Sequence, residues 1–155
     1  MTEESLQNLT IFGLNLITDV LKIANNVLIG EIEAQKGNYE LAVENLKAAI
    51  HTEDHLIYNE PPGWFFSVRH HLGALFLEMG RYEEAEKVLK EDLVKYPENG
   101  WALSGLMVSL EKQNKKEEAE NAKTDSKKPG SGPMSNFRGH LLLSILMMYT
   151  ITSIY

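Results

Sequence analysis

The side chains of this 155-residue sequence with the clearest claim to chemistry are its histidines. His51 and His55 stand four apart, which on a continuous helix puts both imidazoles on one face, as two ligands of a metal would need. The stretch Thr52, Glu53, Asp54 reads as a helix end, however, and no third ligand stands at short range. His70 and His71 are adjacent, so on a helix they diverge by about 100° and do not grip one ion together. These spacings predict ordinary surface or inter-helix histidines, with no metal and no cofactor. Cysteine is absent, which excludes a thiolate zinc site, a disulfide scaffold and a cysteine nucleophile together. The sequence has no Gly-x-Ser-x-Gly elbow, no phosphate-binding glycine loop and no His-Glu-x-x-His. Glu83, Glu84, Glu86 and Glu91 interleave with Lys87 and Lys90 in the manner of a solvated helix face. The expectation is a protein that is not an enzyme.

With catalysis set aside, bulk charge narrows the class of partner. The formal net charge is −7, which argues against a wide phosphate-binding surface and hence against nucleic acid. An apolar or basic protein segment is the better match. Residues 124–155 carry Lys127, Lys128 and Arg138 against Asp125, a net of +2, which leaves −9 on residues 1–123. The sequence thus divides into an acidic body and a mildly basic, apolar tail. Glu3 and Glu4 sit where a secretory leader would be basic, so the expected location is cytoplasmic.

The elements that position these groups come from an internal repeat. Gly37-Asn38-Tyr39-Glu40-Leu41-Ala42-Val43-Glu44-Asn45-Leu46 superposes on Gly80-Arg81-Tyr82-Glu83-Glu84-Ala85-Glu86-Lys87-Val88-Leu89, and more weakly on the stretch from Asn114 to Glu120. Ala85 and Ala119 are 34 apart, and Ala42 and Ala85 are 43 apart, the same period plus nine. Upstream stand Ile29-Gly30 and, in the second copy, Leu72-Gly73 with Phe76; Pro97 closes that copy. Small residues at 30, 42, 73 and 85 allow two helices to cross closely. Gly37 and Gly80 suit left-handed helix ends, and Pro97 stops a helix. The spacing predicts helices over 16–35, 39–51, 64–79, 82–95, 99–112 and 115–123.

The Leu-Gly-x-x-aromatic, Ala-x-x-x-large, Pro skeleton at a 34-residue period resembles the tetratricopeptide repeat family over about residues 20–123. The run Glu60-Pro61-Pro62-Gly63-Trp64, with Val68-Arg69 and Leu72-Gly73, also resembles a segment of some bacterial members. The resemblance implies an all-α fold: a short solenoid of about three antiparallel helix hairpins with a concave, peptide-binding face. The repeat domain is expected over 1–123, with units near 23–56, 66–99 and 100–123. By position in the family, the concave lining would comprise Val27, Glu31 and Gln35, then His70, Ala74 and Glu78, then Trp101, Ser104, Val108 and Glu111. Of these, Glu31, His70, Glu78, Trp101, Ser104 and Glu111 are the candidate peptide-binding residues. Members that grip a chaperone's C-terminal carboxylate do so with Lys, Asn and Arg. Here the matching positions carry Val27, Glu31, His71, Trp101 and Gly105, and Glu31 would repel that group.

The nine extra residues fall between the first and second units, around 57–65, where Pro61-Pro62-Gly63 forbids helix. Insertions in a solenoid gather on one edge, so Tyr58, Glu60 and Trp64 are candidates for partner contact. The alternative for Trp64 is to cover the widened junction. Residues 124–136 read as a flexible linker. The apolar segment 137–155, uncharged from Leu141 onward, is open to three readings: a membrane anchor, a docking segment over the last unit, or a non-native end. The expected function is therefore a non-catalytic protein–protein interaction module. Its alternatives are a membrane-tethered adaptor and a self-associating fragment of a larger repeat protein.

Overall fold

The computed structural model describes residues 8–11, 13–57, 64 and 66–125. Among the described residues six helices follow a small hairpin of strands β1 (Thr10–Ile11) and β2 (Asn15–Leu16). They are α1 (Ile17–Gln35), α2 (Tyr39–Asp54), α3 (Val68–Glu78), α4 (Tyr82–Lys95), α5 (Gly100–Lys112) and α6 (Lys116–Asp125). The fold is all-α and tetratricopeptide-like, as the repeat implied, and its contacts divide into two compact units, Met1–Leu75 and Phe76–Tyr155.

The repeated sequence makes a repeated turn. Gly37, Gly80 and Asn114 all take left-handed backbone, at φ 80°, 72° and 62°. In each case the next amide reaches back five residues: Asn38 to the Glu33 carbonyl, Arg81 to Phe76 and Lys115 to Leu110, at 2.8–2.9 Å. Those bonds satisfy carbonyls that the ending helix leaves open. Asn114 fills the glycine position in the degenerate copy because asparagine is among the few other residues that tolerate this conformation. The next helix then opens identically, with Ala42, Ala85 and Ala119 donating to the carbonyls of Asn38, Arg81 and Lys115. All three alanines are buried.

In the first unit α1 packs antiparallel on α2. Ile23, Val27 and Gly30 meet a face made by Ala42, Val43, Leu46 and Ala49. A Cβ built on Gly30 would stand 2.9 Å from Leu46 Cγ and 3.4 Å from the Ala42 carbonyl oxygen, so the small residue sets how closely the helices cross. Helix α2 runs through Thr52 and Glu53 to Asp54, beyond the expected end at 51. His51 and His55 consequently do meet, with ring centroids 4.4 Å apart, and His55 Nδ1 donates to the His51 carbonyl at 2.6 Å.

Helix α3 starts at Val68, four residues later than expected, and the cause lies at the end of α2. Glu53, only 4 % exposed, turns Oε2 onto the Val68 backbone N–H at 3.1 Å, capping α3 from another helix. A carboxylate there also suits the positive end of the helix dipole. Its neighbour Asp54 takes a two-pronged ion pair from Arg69, at 2.8 and 2.7 Å. At the other end of the insertion the Asn15 side chain, 4 % exposed, exchanges two 2.7 Å hydrogen bonds with the backbone of Ile57, 42 residues away. The hairpin that carries Asn15 has no counterpart in the expected element list.

In the second unit α5 packs between α4 and α6. Leu89, Leu103, Leu106 and Leu110 form the core, while α6 adds only Ala119 and Ala122. Glu86 ties the elements together. Its carboxylate accepts from Lys90 at 2.6 Å, Lys115 at 2.7 Å and Gln113 at 2.8 Å. Burial pushes its pKa up, yet these donors outweigh burial and hold it at about 2, down from 4.5. A depressed carboxylate stabilises the fold above its unfolded pKa and loses that contribution as pH falls toward the folded one. Thermal melts between pH 4.5 and 2 should therefore show the native chain losing roughly 2 kcal/mol more than Glu86→Gln, after discounting for the exposed lysines. Parallel curves for the two proteins would refute the assignment.

Candidate functional site

The α4–α5 connection builds an open depression in the second unit. Helix α4 ends at Lys95, because Pro97 has no amide to continue it. The chain then turns on Asn99, whose amide bonds the Tyr96 carbonyl at 3.1 Å. Asn99 Oδ1 accepts from the amides of Trp101 and Ala102, at 3.0 and 3.3 Å, which caps α5 and fixes Trp101 in its first turn. Lys95, Tyr96, Pro97, Glu98, Asn99, Gly100 and Trp101 surround about 680 Å³. Trp101 is half-buried, and Lys95 Nζ lies 5.6 Å from the centre of the Tyr96 ring. The lining offers aromatic faces, a proline ring and one charge of each sign, which is equipment for holding an apolar side chain.

Of the residues expected in a lining, Trp101 is the one placed in this depression. Ser104, one turn on along α5, is buried, and its hydroxyl donates to the Gly100 carbonyl at 2.7 Å. Glu78, the last residue of α3, and Glu111, on α5, are both exposed. In the first unit Glu31 and His70 are half-buried on α1 and α3. Glu31 meets His71, whose Nδ1 lies 2.7 Å from Glu31 Oε1. Val27 and Ala74 are buried. Trp64 is half-buried and Phe66 exposed; Tyr58 and Glu60 lie outside the described residues. Sequence reasoning missed Tyr96 and Asn99. The signal was present, since Pro-x-Asn-Gly-Trp between two periodic segments spells a helix stop followed by a capped start.

Among the described residues no group of three or more His, Asp and Glu converges as metal ligands would, and no helix is long and apolar enough to cross a membrane. Helix α6 reaches Asp125, two residues past the expected domain edge. The rest of the expected linker, and the segment 137–155 with its three readings, lie outside the described residues.

Comparison with known proteins adds two findings. A tetratricopeptide repeat model matches residues 24–51, and the coatomer epsilon subunit model matches residues 53–137, more than half of the chain. A search of curated proteins gave no match. The two families are typically non-catalytic scaffolds whose partners are proteins. With its repeated turns, its buried alanines and this match, the chain belongs to the coatomer epsilon subunit family.

Proposed function

We propose that this protein is a non-catalytic scaffold that holds a segment of a partner protein against its second unit. The observation that carries the proposal is Trp101, half-buried at the rim of an open depression and locked in place by the Asn99 cap. A tryptophan beside a tyrosine and a proline is the kind of anchor on which binding energy concentrates. The preferred ligand is an apolar segment with a basic flank, supported by Glu98 in the lining and by exposed Glu78 and Glu111 in the same unit. The match is to a subunit, a protein that works within an assembly, so the partner is another chain, met in the cytoplasm.

The test is quantitative capture from native lysate by the full chain and by Trp101→Ala, followed by titration of the captured protein. Trp101→Ala should weaken it by about 2 kcal/mol, roughly thirtyfold, with the helical signal unchanged. Equal affinity for both proteins would reject the Trp101 site.

A further inference from the structure

Helix α1 buries one face on α2 and leaves the opposite face open. Leu21, Leu28 and Ile32 are 51, 40 and 43 % exposed. At 3.6 residues per turn, residues 21, 25, 28, 32 and 35 fall within a band about 80° wide. Their spacing is four, three, four, three, and none of Leu21, Asn25, Leu28, Ile32 and Gln35 is charged. That alternation is a heptad seam. Leu21 and Leu28 occupy d positions, Ile32 a β-branched a position, Asn25 a polar a position and Gln35 a polar d position at the end of the helix. This is the pattern of a parallel two-stranded coil, in which one asparagine pair fixes register and strand number.

The flanking charges agree. In a parallel pair each g residue faces the e residue five positions further along the other strand. Here those positions hold Glu31 and Lys36, opposite in charge, and Ala24 and Ile29, both neutral. Glu31, 15 % exposed, accepts the His71 contact through Oε1, and Lys36 is held by an exposed contact with Glu33, so both pairs would exchange partners at the seam. Helix α1 is already formed by packing on α2, so no nucleation is asked of the seam.

We infer that the open face of α1 binds a second copy of this chain, the two helices parallel and in register, with Asn25 against the partner's Asn25. The uncharged residues 141–155 are the obvious competitor, but they offer no charge to match Glu31 and Lys36. The seam belongs to the first unit and Trp101 to the second, and neither argument uses the other's residues.

Sedimentation of the full chain over a range of concentrations should show a species of twice the monomer mass that dissociates on dilution. Leu28→Glu should weaken self-association at least tenfold, about one decade in Kd, with helical content and melting unchanged. Because the chain has no cysteine, Leu21→Cys supplies a single thiol. A parallel, in-register seam brings two such thiols within disulfide reach, and mild oxidation should yield a covalent dimer. A monomer at every concentration overturns the inference. So does a dimer that ignores Leu28→Glu, or one that Leu21→Cys does not cross-link. A monomer in which Leu28→Cys resists a thiol reagent also overturns it, by showing that another stretch of the same chain lies on the seam.

Discussion

Gly30→Val should lower stability in urea denaturation by about 3 kcal/mol, the upper range for overpacking a helix crossing. A Cβ at this position meets Leu46 Cγ at 2.9 Å, and Leu46 is 1 % exposed, with no free space to retreat into. The atom in the way is the branch point of the leucine rather than its flexible end. Gly30→Ala is a milder case. It introduces the same clash but recovers about 1 kcal/mol of helix propensity, so its net cost should be near 1 kcal/mol. The decisive comparison is Gly30→Val combined with Leu46→Ala. If the crossing is the cause, the two changes couple by more than about 1 kcal/mol, because the smaller partner makes room for the valine. Strict additivity would show that the valine acts elsewhere.

Glu53→Ala should cost about 2–3 kcal/mol, a large effect for a carboxylate at the end of an acidic, polar stretch. Its oxygen accepts from the first amide of α3, and removal leaves the Val68 N–H buried without that acceptor. Glu53→Gln keeps an acceptor of the same reach and loses only the charge at the helix N-terminus, so it should cost about 1 kcal/mol. Hydrogen exchange supplies a local check. The Val68 amide should lose protection in Glu53→Ala well beyond the global change in stability. Unchanged protection there would mean that Glu53 matters for some reason other than capping.

The helices of this fold are legible because the repeat writes its turns in residue types. Gly37 and Gly80 mark left-handed ends, Ala42 and Ala85 mark crossings, and the 34-residue spacing to Ala119 carries the pattern into a copy whose glycine is Asn114. What escaped was decided across long separations. Strands of two residues have no periodicity to detect, so nothing in Thr10–Ile11 announced β1. The role of Asn15 depends on Ile57, 42 residues later. Glu53 reads as a solvated helix end, and only the return of the chain at Val68 makes it a buried cap. Trp101 was singled out by its position in the repeat, and the structure places it in the α4–α5 depression. The surroundings of the other transferred positions depend on packing that spacing does not show. Ser104 faces inward on α5, and His71, one position on from His70, is the histidine that meets Glu31.

Asn15 on Ile57, and Glu53 and Asp54 on Val68 and Arg69, make the two points where the chain leaves and rejoins the helices into fixed stations. Chain length between such stations is decoupled from helix register. Doubling the length of a connection adds only about 0.6 kcal/mol of closure entropy. The insertion is thereby pinned from outside itself, Ile57 by a side chain of the N-terminal hairpin and Val68 and Arg69 by the last turn of α2.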